Sequence, residues 1–197
     1  MDLMEGNQST SFQLDNTHGS SSHYTLFRNH FDTDHKYPTN PSHPYDDTVM
    51  TVGVRLDRGF YVNIVGNIIG QPSYPHNPTV GRYESISWDE CTTYQNSRRH
   101  MYAFRTNDTQ VYNTVYRHGN FDYTTNSIIW DPSNPDHDLP DSLYLTGKPS
   151  WVGNLNWPPF GPDVDFENNK IPAQIRFEQI NSGIPAPSAP TGLRLNP

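Results

Sequence analysis

His18 and His23 bracket a glycine and three serines in "DNTHGSSSHYTLFRN" (15–29). Histidine beside hydroxyl is the pairing of nucleophilic catalysis, and Asp15 is available to orient one imidazole. A nucleophile also needs a fixed elbow. Three consecutive serines after Gly19 give no preferred position, and no G-x-S-x-G occurs. The stretch therefore reads as a polar corner whose hydroxyls satisfy backbone groups. A second cluster, "NHFDTDHKY" (29–37), sets Asp32 and Asp34 between His30 and His35. Calcium takes several carboxylate and carbonyl oxygens at short range, so Asp32 and Asp34 are candidate ligands. "DPSNPDHD" (131–138) offers Asp131, Asp136 and Asp138 in the same way. The spacing is not that of an EF-hand loop, and a merely solvated acidic loop is the alternative. Calcium is the one cofactor these residues suggest.

Two further chemistries are available. Carboxylate pairs for acid/base hydrolysis of a glycosidic bond could be drawn from Asp46, Asp47, Asp57 and Glu84. Tyr37, Tyr45, Tyr74, Tyr83 and Trp88 sit in or beside Pro-rich stretches, mostly outside the alternating runs. Aromatic rings there could stack on sugar rings, or could pack their own loops against the fold.

The elements that must position these residues are strands. Only 32% of the 197 residues are hydrophobic, yet 13% are aromatic, which argues against a simply disordered chain. With 18 prolines and 13 glycines, many asparagines, and few helical stripes, the composition favours strands and turns. The net charge of −8 leaves phosphate backbones little to bind, so nucleic acid is not an expected partner. No apolar run reaches the length of a membrane span, and "MDLMEGNQST" shows no signal peptide. Cys91 is alone, which excludes an internal disulfide and a cysteine-rich zinc site.

The strongest periodicity is two. In "DDTVMTVGVRLDRGFYVNIVGNIIG" (46–70), Met50, Val52, Val54 and Leu56 share a face, Asp57–Gly59 bends, and Phe60, Val62 and Ile64 resume. Shorter runs at 10–15, 24–29, 82–88, 101–105 and 111–120 are bounded by turn residues and read as strands. Several runs end on asparagine: Asn7, Asn29, Asn67, Asn120 and Asn154. The first interval is 22 residues, and the longer ones accommodate insertions such as 32–47 and 70–85. A strand running repeatedly into a fixed Asn suggests a stacked coil. Asn would tolerate the left-handed bend, and its amide would ladder from rung to rung. A β-sandwich with recurrent Asn turns is the alternative.

"EGN" (5–7), "DNTHGSSSHYTLFRN" (15–29) and "VNIVGNIIG" (62–70) resemble the secreted bacterial right-handed parallel β-helix proteins of the pectate-lyase-like superfamily. The blocks at 128–164 and 171–180 are similar to the C-terminal end of that group. The resemblance implies an all-β, right-handed parallel β-helix, a solenoid with long loop insertions, over 1–181 and with roughly five to seven rungs. A Pro-rich tail or linker follows over 182–197, where "APTGLRL" looks like the start of a fibronectin type III domain. The likeness implies a secreted, extracellular protein whose partner is polysaccharide. It leaves open whether the chain is a lyase or glycoside hydrolase, a non-catalytic carbohydrate-binding module, or an assembly protein of a surface appendage or phage tail. Polygalacturonase-like members carry a paired Asp and a Gly-His-Gly. Asp46-Asp47 matches the first, while His118 lies in "HGN" and departs from the second. Asp46, Asp47 and His118 are the candidate catalytic residues on this comparison. Relatives usually have more rungs before this point, so an uncapped first rung implies self-association.

Overall fold

The structure is a computed structural model that describes residues 1–14, 17–35, 49–50, 52–72, 82–85, 100–104, 109–123 and 125–183, with the backbone alone described at 34, 35, 49, 50, 82–85 and 100. Among these residues the chain is broadly all-β, and its three main sheets are built chiefly of parallel strands. The first sheet orders Asp2–Glu5, Tyr24–Phe27, Asn63–Val65 and Tyr116–His118 side by side. The second orders Gln8–Ser9, His30–Phe31, Ile68–Ile69 and Asn120–Asp122, and Ser127–Ile129 pairs antiparallel on its last strand. The third orders Phe12–Leu14, Val54–Leu56, His100–Ala103 and Arg82–Ser85. The chain therefore visits first, second and third sheet in turn before returning to the first.

Register explains the core. Leu26 lies beside Ile64, Phe31 beside Ile69, and Phe12 beside Val54. All six are buried, so each inward position stacks on a like residue of the next pass. Val54, Leu56, Val62 and Ile64 are buried in one cluster as the alternation requires, Val52 is buried apart from it with Ala103, and the bend at Asp57–Arg58 separates the two runs. Gly53 is obligatory: a Cβ there would collide with Cγ2 of Ile69. Arg58 takes a left-handed φ of 55° at the bend.

The asparagine ladder is present. Asn7 donates its N–H and Nδ2 to Oδ1 of Asn29, at 2.9 and 3.0 Å. Asn29 does the same to Asn67, at 2.9 and 3.0 Å. Asn67 repeats it on Asn120, at 3.0 and 2.9 Å. Each Nδ2 also donates back to the preceding pass: Asn29 to Met4 O, Asn67 to Leu26 O, Asn120 to Ile64 O. The left-handed residue at the corner, however, is not the asparagine. It is the residue before it: Gly6, Arg28, Gly66 and Gly119, with φ of 68, 51, 65 and 63°. Asn is kept for its amide, and the backbone strain is carried one position earlier.

Two sequence expectations are corrected. Asn154 is no rung; it is exposed in a turn after the 3₁₀ helix Ser150–Val152. Among the described residues the ladder spans four asparagines, Asn7, Asn29, Asn67 and Asn120. The run 111–120 is not one strand, since Thr109–Thr114 is helical. Val111 is buried within that helix, and Val115, just past its end, is half-buried, a four-residue spacing that suits a helix as well as an alternating strand. Thr114 Oγ1 bonds back to Gln110 O at 2.8 Å within that turn. No described helix is long and apolar enough to cross a membrane.

Candidate functional site

The first sheet turns Leu26 and Ile64 inward, so its alternate residues face outward. Thr25, Phe27, Asn63, Val65, Tyr116 and His118 floor a groove of about 370 Å³ that crosses the strands. Asn63 Nδ2 donates to Thr25 Oγ1 at 3.2 Å, linking successive passes. Asp136, Asp138 and Leu139 form one wall. Among the described residues no lysine or arginine lines it.

That wall belongs to a long segment without regular strands that runs down the column of left-handed corners. Trp130 covers Gly119, where a Cβ would meet its ring at 2.5 Å. Leu139 covers Gly66 at 3.1 Å. Arg28, fully buried, donates to the carbonyls of Leu139, Pro140 and Phe160 and pairs with both oxygens of Asp163 at 2.7 and 2.8 Å. Leu143 N donates to Glu5 Oε2 at 2.9 Å at the first pass. Three small corner residues leave room for the segment, and the one large corner residue grips it.

His118 sits at the top of this contact. Its Nδ1 accepts from Asp131 N at 3.3 Å, and its Nε2 donates to Asp136 O at 2.7 Å. Its ring packs against Trp130 and Tyr116, with centroids 4.8 and 5.8 Å away. Both nitrogens are thus engaged by backbone, and no described carboxylate hydrogen-bonds the ring. His118 holds the groove wall in place. His118→Phe keeps the packing and removes both bonds. It should cost about 1–3 kcal/mol and speed amide exchange at residues 131–138, read by hydrogen–deuterium exchange beside a urea melt. Unchanged exchange there would refute the positioning role.

Asp131 and Asp136 lie in that wall as caps of their own loop. Asp131 Oδ1 accepts from the N–H and hydroxyl of Ser133, at 2.8 and 2.7 Å, and Asp136 Oδ1 accepts from Asp138 N at 3.0 Å. The Ser133 hydrogen bonds hold the Asp131 carboxyl below the usual carboxylate range. Each is an Asx turn, legible in "DPS" and "DHD" had the two-residue spacing been weighted. Among the described residues no three His, Cys, Asp or Glu side chains gather as a metal site. Asp32 is half-buried beside His30, whose imidazole burial pushes below its ordinary range. Asp57 is buried against Arg55. Ser22 and His23 hydrogen-bond at 2.8 Å as exposed neighbours in the polar corner. Asp46, Asp47, Tyr37, Tyr45, Tyr74 and Trp88 lie outside the described residues, as do the side chains of Asp34, Tyr83 and Glu84.

Fold and groove together define a class: an all-β protein of parallel sheets with a neutral-to-acidic cleft across one of them. No family model, curated protein or solved structure matches the chain.

Proposed function

We propose that the chain is a right-handed parallel β-helix of the pectate-lyase-like kind that recognises polysaccharide outside the cell. The right hand follows from the strong preference of parallel crossover connections. The observation that carries the reading is the groove on the first sheet. Its lining runs over three strands and sets the half-buried Tyr116 ring among amide, hydroxyl and carboxylate groups, with Phe27 buried beneath. Such a mixture suits the apolar faces and hydroxyl rims of sugars. Because the described lining holds carboxylates and no lysine or arginine, the polymer that fits it is neutral rather than a polyuronate. Recognition is favoured over catalysis because His118 is engaged on both nitrogens.

The test is retention on insoluble xylan, mannan and cellulose beside polygalacturonate, with reducing ends assayed in the same tubes. Retention on a neutral polymer is expected, and Asn63→Trp, which fills the groove, should weaken it at least tenfold. Preference for polygalacturonate, or retention indifferent to Asn63→Trp, would overturn the reading. Rapid release of reducing ends would restore the enzyme.

A second reading, assembly, rests on a different surface. Leu3 and Met4 are 36% and 39% exposed on the outer edge of the first sheet, beside a concavity of about 870 Å³ that Phe12 and Phe31 also line. Concentration-dependent sedimentation abolished by Met4→Lys would favour it.

A further inference from the structure

Glu5 Oε1 and Trp157 Nε1 are buried polar atoms without a hydrogen-bond partner. Glu5 is not loose, since its other oxygen accepts from Leu143 N at 2.9 Å. Both residues line one narrow cavity of about 80 Å³, apart from the groove. Trp151 and Tyr144 also line it and remain 54% and 64% exposed.

The two unmet needs are complementary. A carboxylate oxygen requires a donor, and an indole N–H requires an acceptor. A hydroxyl is the smallest group that supplies both. The cavity has room for a hydroxyl or hydroxymethyl group but not for a whole sugar ring. The ring itself would rest on the exposed aromatic faces of Trp151 and Tyr144, which offer apolar area at the mouth. Arg28, Asp141 and Lys170 line it as well, so its charges are mixed. We infer that this cavity is a subsite for a single pyranose, its hydroxyl between Glu5 and Trp157 and its ring against Trp151 and Tyr144. The assignment goes beyond the groove reading and does not need it: the groove would take a polymer, the cavity one ring. Leu143 lines the groove and anchors Glu5, so the two sites adjoin through that residue.

The experiment titrates the full chain with the methyl glycosides of glucose, galactose and mannose. Binding is followed by tryptophan fluorescence and saturation-transfer NMR. Choline is titrated in parallel, because aromatic rings beside a carboxylate also suit quaternary ammonium. At least one glycoside should bind saturably, and Trp151→Ala and Glu5→Gln should each weaken it at least tenfold. Trp151 is exposed, so its variant keeps the fold, which far-UV circular dichroism checks. Three outcomes overturn the assignment: no saturable glycoside signal, tighter binding of choline, or binding that survives both substitutions. Polymer retention and its loss in Asn63→Trp are measured separately, so failure of the groove and failure of the cavity are told apart.

Discussion

Asn67→Ala should destabilise the chain by about 4 kcal/mol or more, whereas Asn154→Ala should change stability by less than about 0.5 kcal/mol. Asn67 is fully buried and central in the ladder. Its Oδ1 accepts two bonds from Asn29, and its Nδ2 reaches Leu26 O, Val65 O and Asn120 Oδ1. Alanine removes every one; Asn29 N–H is left buried without its acceptor, while Asn120 Oδ1 keeps Asn67 N–H, Val65 O keeps Arg28 N–H and Asn29 Nδ2 keeps Met4 O. Each such group costs about 1–3 kcal/mol, so even partial rescue by water leaves a large loss. Asn67→Asp separates the two halves of the amide. It keeps the acceptor for Asn29 and loses the donors, and it adds a buried charge, so it should be no better than alanine. Asn7, half of whose ladder is missing and which is exposed, should lose only about 1 kcal/mol as alanine. Urea unfolding of the four variants gives the ranking. Equal effects at Asn67 and Asn7 would mean that the ladder does not bear on stability.

The ladder was legible because it rests on one residue type at each corner, and its partners repeat in chain order. Inward columns were legible for the same reason: a period of two sorts Val54, Leu56, Val62 and Ile64 without knowledge of their neighbours. What stayed hidden depended on contacts far apart in sequence. Arg28 reads as one more residue of "YTLFRN"; nothing nearby shows that it will meet Asp163 and three carbonyls more than a hundred residues on. The cleft-lining role of His118 hid likewise, because its partners are backbone atoms of a loop whose path no periodicity encodes. Asn154 misled because "VGN" copies the local corner signal but has no strand before it to stack. The Glu5–Trp157 cavity joins the first pass to the last quarter of the chain and leaves no local trace.

Arg28→Gly should free the segment from Asp131 to Gly183 while the parallel sheets stay folded. Glycine is the residue that the other three corners carry, so the left-handed backbone at 28 is preserved and even relieved of a side chain's strain. What is lost is the grip on Leu139, Pro140, Phe160 and Asp163. Charge-assisted bonds of this kind contribute about 3 kcal/mol together once the half-exposed Asp163 is discounted for solvent. Relief of strain returns about 1 kcal/mol, so Arg28→Ala should be worse than Arg28→Gly by that margin. The remaining 2 kcal/mol correspond to roughly 30-fold more frequent opening of the segment. Limited proteolysis should therefore cut between 131 and 183 faster in Arg28→Gly than in the wild type. Acid should imitate the substitution. Burial alone would raise the Asp163 carboxyl, but the hydrogen bonds and charge of Arg28 outweigh it and hold the carboxyl below its ordinary range. A depressed carboxylate contributes stability above its unfolded value, about 4, and loses it as pH falls through the folded value. Cleavage of the wild type should rise below about pH 4, and Asp163→Asn should flatten that dependence. If Arg28→Gly instead unfolds sheets and segment in a single transition, the two are one cooperative unit, and Arg28 is a core residue rather than a clamp.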